Sequence, residues 1–568
     1  MSMQGEQDKK RVQDVIDFHA QLERERREWE PLWRDCATFI DPNSDDFGSE
    51  AERSQGQKKG ERVFDNTAIM ARDRLAAAHE SMLTPRNSKW HGYKSSDQQL
   101  NDDEEVMECF EALRDRTFGA RYSPKANFTS QIGAYYQCLD TFGTGAMFAD
   151  ESIGKGLRYK ALHLNELYFS EDFQGKAERV HRKFTCTASQ AVGYLKAGRF
   201  NSLPKAITDA ANDPSRRLER HWFVHCVGPS HDYTPRQGSN QWAFKSEYIA
   251  YDHVWLCGEG GYRTMPFAVG RYTTGPRETY GRAPGMTVLR DIQMLQEINK
   301  TLIREAQRLA DPPMFLSGQP GNTPFSMRAG ALNWNMIGPE GKQLAQAFQS
   351  GADLSGLLEI IQDRRQSVND AFMVTLFQIL LEKPPNMTAT EALLRAQEKG
   401  VLLAPTMGRQ QSEFLGPLIE REFDILTEAG EFDDIEIPDQ LREAIFYGAK
   451  IDVVYDAPLN KLQRADEAVG LVRTVETLAP LMEVYPALKH VINAPEFGRI
   501  VGEANGAPAR AMNSVEEIKA LMAQDEQQAN LERAVEASAP LSNAAKNLQQ
   551  MAATGGASPA PIPLVQPA

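Results

Sequence analysis

Apolar side chains recur at three- and four-residue intervals over long parts of this chain, which is the spacing of amphipathic helices. The first such stretch, residues 10–40, predicts one helix or a pair of helices. A polar loop from Asp41 to about Glu61 follows it. Further runs with the same period predict three more helices, over residues 68–82, 103–118 and 128–141. We therefore expect a helical N-terminal part.

The pattern changes between about residues 160 and 273. Short runs of β-branched and aromatic residues alternate there with Gly, Pro, Asn and Asp, as in strands joined by turns. The runs predict antiparallel strands, over residues 178–187, 221–227, 242–257 and 262–272.

Two long one-sided helices are predicted in the next region. The first runs from Met286 to about Ala310, where Asp311-Pro312-Pro313 stops it. About 25 helical residues extend roughly 38 Å. A Gly- and Pro-rich insert follows, and helical spacing then resumes over residues 354–381. We expect two long helices that bracket a compact insert.

A proline-rich break at Lys383-Pro384-Pro385-Asn386 ends the second long helix. A capping box, Thr388-Ala-Thr-Glu391, starts a third helix, which should reach about Leu426 and bend near Pro405. Later helices are predicted over residues 460–485 and 515–536. The last thirty or so residues consist mainly of Ala, Pro, Ser and Gly, and we expect them to be disordered.

Composition narrows the class of protein. The 568 residues are 41% apolar and 25% charged, which excludes a wholly disordered or fibrous chain and allows about three to four domains. The formal charge is -15, which argues against tight wrapping of DNA by the whole chain. The six cysteines lie far apart and form no Cys-x-x-Cys pair, as in free thiols of a reducing compartment. We find no secretory signal and no apolar run of membrane-spanning length, and we expect a soluble protein.

Candidate catalytic chemistry is sparse. The sequence contains no phosphate-binding Gly-x-x-x-x-Gly-Lys loop. His221 and His225 would share one face of a strand, while Cys226 would point away, so only the two histidines could bind a metal together. The simpler interpretation is that all three are ordinary sheet residues. A metal-dependent hydrolase that uses the histidine pair remains an alternative.

Two acidic patterns resemble metal motifs only in part. Residues 41–52 follow much of an EF-hand loop, but Asp46 stands at the sixth position, where that loop needs glycine. We favour an acidic surface loop. His79-Glu80 is a fragment of the zinc-protease motif, and we expect it at a helix surface. The sequence therefore predicts no catalytic residue, no cofactor and no metal site.

Three groups of motifs follow one another along the chain. They are Phe64-Asp-Asn-Thr-Ala-Ile-Met-Ala-Arg-Asp-Arg-Leu75 with Ser81-Met-Leu-Thr-Pro85 and Trp90; Tyr280-Gly-Arg-Ala-Pro-Gly-Met286 leading to Asp311-Pro-Pro313; and Met387-Thr-Ala-Thr-Glu391 leading to Arg409 and Pro417-Leu418-Ile419. In this order they resemble the head-to-tail connecting proteins of podoviruses, the portal proteins of short-tailed phages. The resemblance covers about residues 10–500.

The resemblance implies an α+β, predominantly helical, portal-type subunit. Its parts would be a wing, a stem of two helices, an inserted clip, a tunnel loop, a kinked helix and a crown. The implied ranges are 1–280 for the wing, 281–310 for the first stem helix, 311–351 for the clip, 352–381 for the second stem helix, 382–388 for the tunnel loop, 389–450 for the kinked helix and wing return, 451–536 for the helical crown and 537–568 for a disordered tail. The order of helix, insert, helix, proline break and kinked helix agrees with the periodicity.

The function implied by the resemblance is mechanical. Portal subunits form a ring, twelve-fold in the family, at one capsid vertex, through which DNA enters and leaves and to which the tail attaches. The implied partners are further copies of the chain, major capsid and scaffolding proteins, the terminase large subunit, a tail adaptor and double-stranded DNA, with no membrane. The implied location is the virion, after assembly in the host cytoplasm. Without the resemblance, a helical intracellular scaffold or adaptor remains open.

The tunnel loop supplies the predicted site residues. By resemblance Lys383, Pro384, Pro385 and Asn386 face the DNA channel, and Lys383 is the one cation of that loop. Lys383 would contact DNA phosphates transiently, because a wall rich in Lys and Arg would hold sliding DNA too firmly. The acidic charge of the chain fits such a wall, and it also fits plain solubility.

Overall fold

The computed structural model describes most of the chain up to residue 455 and smaller parts beyond it. The described residues are 3–44, 47, 59–152, 156–230, 242–311, 313–316, 326, 334, 337, 340–342, 345–347, 354–375, 405–455, 470–478, 480, 497–498, 501–502, 518, 521, 524 and 527. The chain divides into two compact units. One is formed by Met1–Gln98 with Cys109–Asn460, and the other by Gln99–Glu108 with Lys461–Ala568. Among the described helices, none combines the length and apolar character that a membrane span requires.

The N-terminal stretch forms two helices, α1 (Met3–Arg27) and α2 (Glu30–Ile40). Pro31 lies in the first turn of α2, where a missing N–H leaves no helical hydrogen bond unmade. The chain continues through α3 (Thr67–Leu83), strand β1 (His91–Ser95), α4 (Glu104–Arg121) and α5 (Phe128–Phe142). The predicted helices over residues 10–40, 68–82, 103–118 and 128–141 are confirmed, whereas β1 was not predicted.

The middle of the chain forms two antiparallel sheets. The smaller sheet has the order β3-β2-β9, and the larger has the order β4-β5-β6-β7-β8. The strands are β2 (Thr144–Ser152), β3 (Gly156–Leu162), β4 (Leu167–Glu171), β5 (Ala177–Thr187), β6 (Arg220–Pro229), β7 (Phe244–Ala250), β8 (Trp255–Tyr262) and β9 (Phe267–Arg271). Antiparallel strands in this region were therefore predicted correctly.

Two details of the sheet region differ from the prediction. The single run over residues 242–257 is two strands, because the chain turns at Tyr251–His253 and Val254 takes a left-handed φ of 48°. Helices α6 (Ala188–Lys196) and α7 (Lys205–Asn212) interrupt the strands and were not predicted. A capping box in which Thr187 and Gln190 exchange hydrogen bonds starts α6.

Helices α6 and α7 contribute to a hydrophobic core with the larger sheet. Phe184 on β5 lies opposite Phe223 on β6, and both rings are buried. The core cluster contains Phe184, Cys186, Ala188, Ala191, Phe200, Ile207, Ala210, Phe223, Tyr248, Ala250 and Cys257. This packing explains why α6 and α7, although short, are stable between strands.

A close backbone contact sets the start of the long helices. Gly143 follows α5 with φ of 73°, and Gly281 lies directly against it. A Cβ atom on Gly281 would come within 2.0 Å of the Gly143 carbonyl oxygen, so neither position accommodates a side chain. Gly281 belongs to the motif Tyr280–Met286, and its place there follows from this contact.

The two predicted long helices are present with different lengths. A single turn, α8 (Pro284–Thr287), precedes α9 (Leu289–Ala310), and α10 is Leu354–Ala371. The prediction of one continuous helix over residues 354–381 is wrong, because the chain leaves the helix at Phe372 and Met373 takes φ of 56°. Residues 374–375 are helical again, and residues 376–381 lie outside the described residues. Between the two helices, β10 (Met314–Leu316) pairs with β11 (Ala345–Ala347).

Beyond the long helices the first unit returns to the smaller sheet. Residues 405–410 are helical, Gln411–Leu415 form a π-helical segment, and α11 (Gly416–Glu428) continues. Next come α12 (Asp439–Phe446) and β12 (Ile451–Tyr455), and the latter pairs with β1. Strand β12 was not predicted. The capping box at Thr388 and the chain before Pro405 lie outside the described residues, so the bend there stays a prediction.

The second unit is described only in part. Residues 470–478 are helical, within the helix predicted over residues 460–485. The described positions 518, 521, 524 and 527 are also helical and fall within the helix predicted over residues 515–536. The C-terminal tail lies outside the described residues. The assignment of wing, stem, clip and crown remains a prediction.

Candidate subunit interface

The N-terminal half of α9 is anchored in the body of the first unit. Ile292 and Leu295 are fully buried on the face of α9 that meets the body. On the same face, the side-chain oxygen of Gln296 accepts hydrogen bonds from the backbone N–H groups of Phe64 (2.6 Å) and Asp65 (2.8 Å). The Gln296 amide donates in return to the Asp65 carbonyl at 2.9 Å. Gln296 therefore fixes α9 to the loop that precedes α3.

The Asp65 carboxylate holds both long helices. Arg365 on α10 donates two hydrogen bonds to one carboxylate oxygen, at 2.7 and 3.0 Å, and Asn299 on α9 donates at 3.4 Å. The other oxygen accepts from the backbone N–H of Thr67 at 2.9 Å. Burial opposes ionisation of Asp65, but the hydrogen bonds from Thr67 and Arg365 outweigh it and lower the pKa. Asp65 is therefore a charged anchor at the root of the helix pair.

A second contact joins α9 directly to α10. The Asp291 carboxylate on α9 accepts hydrogen bonds from Arg364 (3.0 Å) and Ser367 (3.3 Å) on α10. Val368 and Ile361 of α10 are buried beside it. The helices pack on each other, so they form one antiparallel hairpin whose root is held by Asp65 and Asp291. We call α9 with α10 the long-helix hairpin.

The far half of α9, residues 301–310, is not buried against the body as the first half is. The buried stripe of its first half continues at helical spacing through Ile303, Ala306 and Ala310. None of residues 301–310 is buried, and Ile303 and Leu309 expose 46% and 54% of their surface. This part of α9 extends about 15 Å beyond the anchored half.

The beginning of α10 is exposed in the same way. No residue from Ser355 to Ile360 is buried, and Leu358 and Ile360 expose 51% and 42%. Because the hairpin is antiparallel, this end of α10 lies at the same end of the hairpin as the exposed half of α9. Exposed large apolar side chains on both helices at one end of the hairpin are typical of a protein interface. The uncovered half of the hairpin is therefore the candidate site.

The body contains a buried ion pair that fixes α11. Arg121 and Glu422 have no exposed side-chain surface, and two nitrogens of Arg121 contact both carboxylate oxygens. Tyr159 donates a hydrogen bond to Glu422 at 2.8 Å, and His91 contacts Arg121 at 2.9 Å. Burial alone would lower the pKa of Arg121, but Glu422 raises it overall. Arg121 therefore stays charged within the fold.

The predicted tunnel-loop residues cannot be compared with the hairpin. Lys383, Pro384, Pro385 and Asn386 lie outside the described residues, which stop at Thr375 and resume at Pro405. Their predicted contact with DNA stays a prediction.

The histidine and cysteine candidates on β6 have structural partners. His225 is buried, contacts the Ser246 hydroxyl at 2.9 Å and stacks on Tyr248. His221 lies beside the ring of His253. All six cysteines are buried free thiols, as the sequence predicted. In the described part of the chain, no group of three or more His, Cys, Asp or Glu side chains is arranged to hold a metal ion.

Two residues that were assigned to the surface are buried. His79 is buried rather than exposed, because its ring contacts the buried Asp140 carboxylate at 3.1 Å. Asp41, at the start of the supposed acidic surface loop, is also buried and pairs with Arg72 at 3.3 Å. In both cases the partner lies more than thirty positions away in the sequence, so no local pattern signals it.

Comparison with known proteins identifies the family. The model of the bacteriophage head to tail connecting protein family matches residues 12–512. The probable portal protein of Bordetella phage BPP-1 is 26% identical over 486 residues, which are 84% of this chain and 84% of that protein. The portal protein of Salmonella phage epsilon15 is 23% identical over 538 residues, 94% of either chain.

Two solved structures are similar only at low score. A chain of the virion of a native gene transfer agent particle has a TM-score of 0.31 and 9% identity, over 72% of this chain and 85% of that one. A chain from the neck of an empty gene transfer agent particle has a TM-score of 0.31 and 10% identity, over 72% and 86%. These similarities are too distant to support an argument about the fold. The match of the family model over residues 12–512 is sufficient to assign the family, and the chain belongs to the bacteriophage head to tail connecting protein family.

Proposed function

We propose that this protein is a phage portal subunit. Its copies form a ring at one vertex of the capsid, DNA enters and leaves through the hole, and the tail attaches to the ring. Two observations outside the hairpin support the proposal, the family match over residues 12–512 and the name portal protein carried by two relatives. The role is structural rather than enzymatic.

The uncovered half of the long-helix hairpin carries the proposal. A ring requires a head-to-tail contact that uses two different surfaces of each copy and closes after a fixed rotation. A hairpin that is anchored at one end and bare at the other provides such surfaces without a change in the fold. Burying Ile303, Leu309, Leu358 and Ile360 between copies would also remove apolar surface from water.

The finer parts of the proposal follow the podovirus portal family. The ring would be twelve-fold, with the hairpin as its stem and residues 382–388 as the tunnel loop. Its partners would be the capsid and scaffolding proteins, the terminase large subunit, the tail adaptor and double-stranded DNA. The protein would be located at the virion vertex after assembly in the host cytoplasm.

Lys383 would touch DNA phosphates in the channel. Particles that carry Lys383→Ala should package DNA and then retain less of it, because one phosphate contact per subunit is lost. Packaging and retention equal to those of the wild type would contradict this role for Lys383.

The experiment on the ring uses the purified full chain and negative-stain images. The wild type should give rings with a central hole, and Ile303→Asp should give single subunits, because a carboxylate would enter the apolar contact. Leu218→Asp is the matched control, since Leu218 exposes 79% of its surface in the turn before β6 and lies outside the hairpin. Rings that persist in Ile303→Asp would exclude the apolar face at Ile303 as a contact surface.

A further inference from the structure

The outward face of α9 is positively charged. Arg290, Lys300, Arg304 and Arg308 lie on this face, away from the stripe formed by Ile292, Leu295 and Asn299, and Glu297 and Glu305 are the acidic residues among them. Arg290, Arg304 and Arg308 are exposed, and Lys300 is half-buried. Four cations and two anions give this face a net charge of +2.

The outward face of α10 is negatively charged. Glu359, Asp363 and Asp370 follow one another along it at helical spacing, and Asp363 exposes 72% of its side chain. The two arginines of α10 point elsewhere, because Arg364 contacts Asp291 and Arg365 contacts Asp65. The outward face of α10 therefore has a net charge of -3.

Within one copy these charges are only partly compensated. Arg308 pairs with Glu305 at 2.5 Å, and Lys300 approaches Glu297 at 3.4 Å, both on α9 itself. Asp363 lies beside Arg364 at 3.3 Å on α10. Among the described residues, neither Arg304 nor Glu359 makes an ion pair. The positive and negative faces belong to one hairpin but do not contact each other.

We propose that the positive face of α9 in one copy docks on the negative face of α10 in the next copy. The proposal rests on the portal function proposed above and specifies the partner surface for each helix. Opposite charges on the two faces let one contact repeat head to tail around a closed ring. A contact of α9 with α9, or of α10 with α10, would bring like charges together and is disfavoured. The charge pattern thus favours a contact between α9 of one copy and α10 of another.

The test uses two variants that reverse one face each. Variant A carries Arg290→Glu and Arg304→Glu, which makes the α9 face negative. Variant B carries Glu359→Lys and Asp363→Lys, which makes the α10 face positive. Each variant alone can offer only like-charged contacts, so neither should form rings. In an equal mixture, α9 of A meets α10 of B, and α9 of B meets α10 of A, and both contacts are again opposite in charge.

Native mass spectrometry and negative-stain images provide the readout. The mixture should restore rings in which A and B alternate in equal numbers. Added salt should weaken the rings of the wild type, because it screens the attraction between the charged faces. Circular dichroism should show that A and B are folded. The matched control, Arg216→Glu with Arg217→Glu, makes the same charge change on an exposed turn and should assemble like the wild type.

Three results separate this inference from the portal proposal. If A and B each form rings as the wild type does, the charged faces do not direct assembly, although the portal function stands. If A and B are folded and their mixture stays dissociated, the pairing of α9 with α10 is wrong. If the wild type itself forms no ring under any condition, the portal function fails as well.

Discussion

The body of the first unit and the far half of the long-helix hairpin differ in the environment of their charged and apolar side chains. In the body, buried ions such as Arg121 and Glu422 contact each other directly, and apolar side chains such as Ile292 are fully covered. In the far half of the hairpin, Ile303 and Leu358 are half-exposed, and Arg304 makes no ion pair with any described residue. From this difference we expect the stability of the subunit to depend on the residues of the body, and the assembly of copies to depend on the residues of the far half of the hairpin.

The largest effect on stability is expected at the buried ion pair. Glu422→Gln leaves Arg121 charged and buried without a counterion, and should lower the free energy of unfolding by about 3–5 kcal/mol. Denaturant unfolding of the purified subunit measures the loss. The matched control is Glu431→Gln, because Glu431 pairs with Arg116 at 3.5 Å on the surface and should contribute about 0–1 kcal/mol. Equal losses of unfolding free energy in Glu422→Gln and Glu431→Gln would show that the buried ion pair stabilises the subunit no more than the surface pair does.

A smaller effect is expected at the root of the hairpin. Asp65→Asn removes a carboxylate that accepts two hydrogen bonds from Arg365, and should cost about 1.5–3 kcal/mol at pH 7. Because folding lowers the pKa of Asp65, its stabilisation is complete above the pKa of the unfolded chain, about 3.9. The stabilisation is lost as the pH falls through the lower pKa of the folded state.

The pH dependence of unfolding tests that assignment. The difference in unfolding free energy between the wild type and Asp65→Asn should shrink as the pH is lowered below about 4. Asp363→Asn serves as the control, since Asp363 is exposed and should give a small difference at every pH. A difference for Asp65 that stays constant from pH 7 to pH 3 would show that its charge does not anchor the hairpin.

The smallest effect on stability is expected in the far half of the hairpin. Ile303→Asp should change the free energy of unfolding of a single subunit by less than about 0.5 kcal/mol, because Ile303 is half-exposed and lies outside the buried core. Unfolding is measured at a concentration at which the wild type is dissociated. A loss above about 2 kcal/mol would mean that Ile303 supports the subunit itself.

The spacing of apolar residues was sufficient to predict those helices whose sequence signal is local. The helix α9 was predicted from spacing alone, and Asp311-Pro312-Pro313 marked its end because proline cannot continue a helix. The end of α10 was not predictable in this way, since its apolar spacing continues while the backbone turns at Met373. Helices α6 and α7 were missed because they are short and lie between strands.

The contacts that define the candidate site were beyond the reach of sequence patterns. Asp65 and Arg365 are 300 positions apart, and neither belongs to a motif that suggests a pair. His79 was expected at a helix surface, and its partner Asp140 is 61 positions away in the sequence. Helical spacing in the sequence groups the charged residues of α9 and of α10 on one face of each helix. Which faces point outward is known only from the contacts of Asp291 and Asp65, which hold the opposite faces.

The central claim is that copies of this chain close into a ring through the long-helix hairpin. Native mass measured over a range of concentrations of the purified full chain tests it most directly. We predict one dominant closed species with a fixed number of copies. A single subunit at every concentration, including in the presence of capsid and scaffolding proteins, would contradict the account.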